Sequence, residues 1–494
     1  MIERNYSVSS RKKPNVLFIF DDQHRKDACS IYGGKNINTP NIDRLAKEGI
    51  LFNNAISTVP VCTPYRGMLM TGKYPTHSGV VLNFIETNPN QSFIASLFKD
   101  SGYHTGYIGK WHLSAGTIKT AGKYKSDPNL INTYLEENPE PEFTPPGKNR
   151  LGFEHWEAYN FHMDFKKGWY YRDEPKKLFY DGYETDSQFN QAIQFIAKCN
   201  KSTKPFFLML APHPPHPLWR GEKDVPKEFL DKIPQNIQLP PNAPQQFPLG
   251  PLKGWPPPDE TLTLEEIRTY YAMCKNFDYN LGRILKFLDD NKLTNNTIVI
   301  YTSDHGEQLG SQNRRSKMVP YSESVDIPLI IRWPLNIKKG KVNNSLYTPM
   351  DHLPTLVSLS GVKTTELFDG IDLSKEIIGN EKISRERVLM MNYVSGVNYF
   401  STNTLFPEWR AYRSKRNTYV RWLNGKQELY NNLEDPFQMN NLFEKNSNKA
   451  LLQKCQKNLK NLLSEADDKF FCGTDYAEWY DDDRNLISNA NGRI

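Results

Sequence analysis

Two pairs of metal-binding side chains stand out in this 494-residue chain, Asp21-Asp22 and Asp304-His305. Drawn around one point, they would offer a cation three carboxylates and an imidazole. Oxygen-rich ligation suits a hard ion, Ca²⁺ or Mg²⁺, and the imidazole nitrogen keeps Mn²⁺ and Zn²⁺ in play. A lone Asp-Asp pair is more often a helix cap or turn; two such pairs, each closing an apolar run, point to a metal instead. Groups able to move protons or hold anions lie in Gly109-Lys110-Trp111-His112, in Ala211-Pro212-His213-Pro214-Pro215-His216, and at Lys317. Lys110 and His112 fall on one side of an extended segment and can face one site together. Cys62-Thr63-Pro64-Tyr65-Arg66 sets a thiol near a guanidinium. Alone, Cys62 would pass for a small buried hydrophobe before a turn.

These residues need elements to position them. Asn15–Phe20 is a continuous apolar run, the pattern of a central parallel strand buried on both faces. Open α/β sheets place ligands at the carboxyl ends of such strands, where Asp21 and Asp22 follow. The same logic predicts strands over 103–108, 205–211, 297–302 and 328–332. Thr39–Gly49 reads as a helix with a Thr cap, an early Pro and a closing Gly. Further helices are predicted over 187–198 and 263–289. Strand, polar tip, helix, repeated, argues a doubly wound α/β domain. Ile233–Asp259 is Pro-rich and aperiodic, a long surface loop. Beyond about Lys382, short alternating strands near 388–391, 409–413, 418–422 and 428–430, with a helix over 449–464, suggest a smaller α+β unit.

Taken together the motifs resemble the formylglycine-dependent (type I) sulfatases of the alkaline phosphatase superfamily. The resemblance rests on Cys62-x-Pro64-x-Arg66, the strand-end acid pairs, Gly109-Lys110-Trp111-His112, Pro212-His213-x-Pro215, and Lys317 followed by Tyr321, Glu323 and Ser324. Tyr65 stands where that family usually has Ser or Ala. Membership would imply an alkaline-phosphatase-like fold, a doubly wound mixed sheet flanked by helices, with a catalytic unit at 12–381 and a C-terminal α+β unit with a small antiparallel sheet at 382–494. It would also imply oxidation of Cys62 to formylglycine by a sulfatase-maturation enzyme, and a metal, usually Ca²⁺, held by Asp21, Asp22, Asp304, His305 and modified residue 62. Lys110, His213 and Lys317 would bind sulfate, His112 would serve as general base, and Arg66 would organise the ligands. A hydrated aldehyde carries two hydroxyls on one carbon, one to take the sulfate and one to drive its expulsion; a serine would be left as a stable sulfate ester.

Bulk properties fit a soluble enzyme. The formal charge of +6 does not indicate nucleic acid binding, and the six cysteines are scattered without metal-ligand spacing. No run of about 18 apolar residues exists, so no membrane span is expected. The polar start lacks a signal peptide, which places the chain as written in the cytoplasm; a trimmed leader would place it in the periplasm or outside the cell. The expected partner is a sulfated small molecule or oligosaccharide, with a sulfated carbohydrate preferred. Pocket walls are expected from 153–172, Trp219-Arg220, the Pro-rich loop and 398–410, and substrate contacts from His162, His216, Arg220 and Arg314. The alternatives are a phosphonate monoester hydrolase or phosphodiesterase of the same superfamily, choline-sulfate hydrolysis, and an inactive binder of sulfated glycans.

Overall fold

The computed structural model describes residues 13–116, 140–253, 261–379, 381–383, 385–393 and 408–494. Asn15–Asp21 forms β1, and its alternating side chains feed two different cores. Val16, Phe18 and Phe20 face one helical layer, whereas Leu17 and Ile19 face the other. A strand that must satisfy two apolar layers cannot carry a polar face, which is why the run is unbroken. The first layer contains α2 (Cys62–Thr71), α3 (Ile94–Asp100) and α6 (His352–Ser360). The second contains α1 (Pro40–Glu48), α4 (Glu184–Cys199) and α5 (Leu264–Asp290). Thr263 caps α5 in a reciprocal box with Glu266.

Around β1, the strands β2 (Ile50–Ala55), β3 (His104–Lys110), β4 (His155–Tyr159), β7 (Phe206–Ala211), β8 (Thr297–Ser303), β9 (Leu329–Arg332) and β10 (Lys341–Tyr347) complete an eight-stranded sheet; β5 (Trp169–Tyr170) and β6 (Leu178–Phe179) form a separate ribbon. The order is β10-β2-β9-β8-β1-β7-β3-β4. All neighbours run parallel except β9, which is antiparallel to β2 and β8, so the sheet is mixed. The carboxyl ends of β1, β3, β7 and β8 therefore converge at the centre of one sheet edge, where the sequence motifs lie.

A second, antiparallel sheet joins β11 (Val388–Asn392), β12 (Trp409–Arg413), β13 (Asn417–Trp422) and β14 (Gln427–Asn431). One face, with Met390, Trp409, Val420 and Trp422, packs on Ile56, Val325 and Leu346 of the first unit. The other is covered by α7 (Lys449–Glu465) and shares a core with Val59, Val61 and Met68, which flank Cys62. The predicted strands and helices appear within a few residues of their expected ends. Strands β2, β4, β5, β6 and β10, helices α3 and α6, and the helix starting at Cys62 were not foreseen. In β2 the apolar run is only three residues before Asn53-Asn54, and Pro64 read as a turn rather than as a residue of the first helical turn. The Pro-rich stretch is irregular where it is described; residues 254–259 and 398–407, expected in pocket walls, lie outside the described residues.

Candidate active site

The register Asp21↔Ser303 aligns the ends of β1 and β8, and the Asp304 N–H donates to the Asp21 carbonyl at 3.1 Å. This alignment sets Asp22 beside Asp304 and His305. Cys62 completes the cluster from the first position of α2. One ligand atom from each of these four buried residues lies within 4.8 Å of all the others. The Cys62 sulfur is 3.3 Å from His305 Nε2 and 3.7 Å from Asp22 Oδ1. It also sits at the positive end of a fully buried helix, a place that favours an anion. One turn on, Arg66 Nη2 reaches Asp22 at 3.2 Å and Asp304 at 3.3 Å, and Nη1 donates to the Lys110 carbonyl at 2.6 Å. Tyr65 points the other way, into the core beside β1.

Two carboxylates, an imidazole and a sulfur, all buried, are a donor set that fits one divalent cation. The two acids respond differently to their surroundings. Burial opposes the charge on Asp22, yet the ammonium groups of Lys110 and Lys317 hold its carboxyl well below the usual range. Burial and the neighbouring Asp22 push Asp304 up. An added positive charge would relieve both. Burial also pushes His305 down to about 4, leaving its ring neutral and able to ligate.

Asp21 does not join this group. It shares a strand face with Leu17 and Ile19, so its carboxylate turns away from Asp22 and meets His24 Nδ1 at 2.6 Å and Tyr301 at 3.4 Å. The expected pair Asp21-Asp22 is thus split by the pleat. The residue that turns back into the site is Gln23, at φ 73°, whose amide oxygen accepts from Lys317 Nζ at 2.6 Å and whose N–H donates to Asp304 at 3.1 Å. Sequence reasoning missed Gln23, because alternation would put it on the side of Asp21 and only the turn at φ 73° brings it back.

The cationic and proton-moving groups surround the same sulfur. Lys110, at the end of β3, places Nζ 2.6 Å from Asp22, 3.0 Å from His213 Nε2 and 3.8 Å from Cys62. Lys317 Nζ is 3.5 Å from Cys62. The β3–β4 ladder continues past Lys110, with Trp111 N–H donating to Tyr159 and His112 N–H to Asn160, before His112 turns at φ 53°. Thr63 Oγ1 donates to the His112 carbonyl at 2.7 Å, tying this turn to the start of α2. Neither ring nitrogen of the buried His112 has a hydrogen-bond partner among the described residues. Its ring lies 4.7 Å from Phe84 and 4.9 Å from Phe161, both half-buried. The His216 ring lies 4.5 Å from that of His213, tilted by 39°. Burial, reinforced by Lys110, pushes His112 and His213 well below the ordinary imidazole value; burial with Lys317 and Lys110 does the same to His216. All three are therefore neutral at neutral pH; His213 Nε2 faces the Lys110 ammonium and His216 Nδ1 the Pro217 carbonyl, while His112 keeps both ring nitrogens open among the described residues.

Of the expected substrate contacts, only His216 makes a contact within this group. His162 is buried against Tyr159 at 3.8 Å and bonded to the Trp169 carbonyl; Arg220 pairs with Asp224 at 2.6 Å; Arg314 is half-buried, its backbone bridged to Lys253. The arrangement is a buried anion pocket, with two ammonium groups and a helix terminus around one sulfur and neutral imidazoles within reach.

Comparison with known proteins agrees. The family model described as Sulfatase matches residues 14–362, and one described as N-sulphoglucosamine sulphohydrolase, C-terminal, matches residues 312–465. An ulvan-active sulfatase of Formosa agariphila is 32% identical over 466 residues, covering 93% of this chain and 82% of that protein. An endo-4-O-sulfatase of Bacteroides thetaiotaomicron is 28% identical over 500 residues, covering 93% of each. A solved structure from the same bacterium, described under its metabolism of multiple glycosaminoglycans, superposes with a TM-score of 0.79 at 26% identity, covering 94% of this chain and 98% of that one.

Proposed function

The chain belongs to the sulfatase family and is a sulfuric ester hydrolase; from that premise we propose that it removes sulfate from a carbohydrate, using a formylglycine made from Cys62 and one divalent cation, Ca²⁺ by preference. The observation that carries this reading is the Cys62 sulfur, flanked by Lys317 at 3.5 Å and Lys110 at 3.8 Å and bounded by Asp22 and His305. Asp22, Asp304, His305 and residue 62 would hold the cation, with Gln23 a further oxygen donor beside them. When bound, it would neutralise charge on the sulfate and acidify a neighbouring hydroxyl. Formylglycine hydrate would supply two hydroxyls on one carbon, one to attack sulfur and one whose deprotonation releases sulfate.

The chain's own residues do the rest. Lys110 and Lys317 hold their ammonium groups 3.8 and 3.5 Å from the residue 62 sulfur, where they would bind sulfate oxygens, and His213, 3.0 Å from Lys110, extends that cradle. His112, neutral and with neither ring nitrogen hydrogen-bonded among the described residues, takes the proton from the second hydroxyl. Arg66 keeps both carboxylates in place and braces β3 through the Lys110 carbonyl. Phe84 and Phe161 offer an apolar wall beside His112, suited to a sugar ring. A carbohydrate substrate is further supported by the relatives' names, an ulvan-active and an endo-4-O-sulfatase. The same reading divides the chain into a catalytic unit, 12–381, and a C-terminal unit, 382–494.

The test is co-expression with a sulfatase-maturation enzyme, mass spectrometry of the Cys62 peptide, and sulfate release from a panel of sulfated mono- and oligosaccharides. We expect the aldehyde mass at residue 62, release from at least one sugar, and loss of release in Cys62→Ala. Undiminished release by Cys62→Ala would end the mechanism. Faster hydrolysis of an aryl phosphonate than of any sulfate would move the chain to the phosphonate reading.

A further inference from the structure

The C-terminal unit carries a cavity of about 760 Å³ between the β13–β14 hairpin, the second half of α7 and the segment 468–470. Its wall is basic. Arg421, Lys460 and Lys469 line it, all three are exposed, and among the described residues none has a carboxylate partner. The acids nearby are engaged elsewhere: Glu465 with Arg387, Asp467 with His77, and buried Asp468 with Arg410. Uncompensated like charges around one concavity cost stability, and an anionic ligand would repay that cost.

The groove is also held in shape. Asp468 Oδ1 accepts from the Phe470 N–H at 2.7 Å, fixing that residue at φ 60°, and the Phe470 ring supports the Arg421 guanidinium at 4.9 Å. A stacked guanidinium loses less freedom on binding an anion than a free one. The Gln427 and Gln456 amides, bonded to each other at 3.3 Å, line the same wall and can meet hydroxyls. Cations aligned with amides and an aromatic ring are the chemistry of an anionic sugar chain. None of the groove's residues belongs to the pocket around Cys62.

We propose that this groove is a second binding site, for a sulfated polysaccharide, which holds one part of a chain while another part is presented to the catalytic pocket. The choice of sulfate rests on the carbohydrate-sulfatase reading above; the existence of an anionic-glycan site does not. Retention at a remote site raises the local concentration of ester groups without touching the chemistry.

The test uses the full chain and defined polymers: dextran sulfate, neutral dextran and polygalacturonate, with binding followed by affinity electrophoresis at low and high salt. Wild-type protein should bind dextran sulfate, ignore dextran, and release the polymer as salt rises. The triple variant Arg421→Gln, Lys460→Gln, Lys469→Gln should bind dextran sulfate roughly tenfold more weakly, the sum of three exposed ionic contacts. Its hydrolysis of 4-methylumbelliferyl sulfate should match wild type, which also shows that it folds; the single variants, each losing part of the affinity, guard against a misfolded triple. The Cys62→Ala protein should keep wild-type polymer binding, so the groove is scored even if sulfatase activity fails. Unchanged binding in the triple variant overturns the site. Binding to polygalacturonate as tight as to dextran sulfate overturns its assignment to sulfated chains.

Discussion

His112 shows how a side chain is prepared for one task. It is buried, both ring nitrogens lack partners among the described residues, and burial with Lys110 beside it keeps the ring uncharged. A structural histidine at this depth would be expected to find a hydrogen bond. We predict that His112→Ala lowers kcat by about 10²–10⁴-fold, the usual worth of a positioned base, with KM changed much less. Steady-state kinetics on a sulfated sugar would check this, and a loss confined to KM would show that the ring only binds. Because the ring loses its proton more readily than a free histidine, the acid limb of kcat should fall below pH 6.5, the ordinary imidazole value. Asp22 and Asp21 teach the converse: adjacent polar residues at a strand end face opposite layers, and only one of the two aspartates reaches the cluster.

Among the elements, the contact between β3 and β7 depends on one glycine. Gly109 has φ +107°, and a Cβ there would lie 2.3 Å from the Ala211 carbonyl oxygen, a backbone atom with little freedom to yield. Gly109→Ala should therefore destabilise the fold by about 1–3 kcal/mol and displace Lys110, lowering activity as well. Urea unfolding gives the first number; a variant as stable and active as wild type would refute the argument. A second element-level link is His77, on the short helix Pro75–Ser78, which bridges Asp369 at 2.7 Å and Asp467 at 3.0 Å. The hydrogen bond that His77 Nδ1 donates to Asp369 raises the imidazole pKa despite partial burial, with Asp467 adding to the effect. A raised folded-state value means that the bridge stabilises fully below about pH 6.5 and is lost as pH rises through the folded value. His77→Gln should thus lower the melting temperature at pH 6 and narrow the gap at pH 9. An equal gap at both would dismiss the bridge as a pH-dependent link.

At the scale of the whole molecule, the two units are joined through the site. Trp409 of β12 donates its indole N–H to the Met318 carbonyl at 2.8 Å, next to Lys317, and Arg413 pairs with Asp326 at 3.0 Å. The small sheet thereby holds the loop that delivers the second ammonium group. Trp409→Phe keeps an aromatic ring but strands a buried carbonyl, for an expected loss of about 1–3 kcal/mol. kcat/KM should fall with it because Lys317 is less firmly placed. Equilibrium unfolding alongside kinetics would decide, and unchanged values for both would mean that the sheet is only packed against the catalytic unit.

The sequence by itself determined the strands that needed no context, since an unbroken apolar run such as Asn15–Phe20 has few other fates, and it located Cys62, Lys110, His112, His213, Asp304, His305 and Lys317 by motif. It could not say which member of a polar pair faces inward, because that is set by pairing of β1 with β8 and by the layer each side chain must avoid. Nor could it find β2, β4 or β10, whose sequences are mixed and whose partners are distant in the chain. Tertiary structure alone replaced Asp21 with Gln23 beside the cluster, buried His162 behind the site, and turned Cys62 into the first residue of a helix. The first of these depends on the register of β1 against β8, 282 residues apart at Asp21 and Ser303, and no local pattern encodes that register.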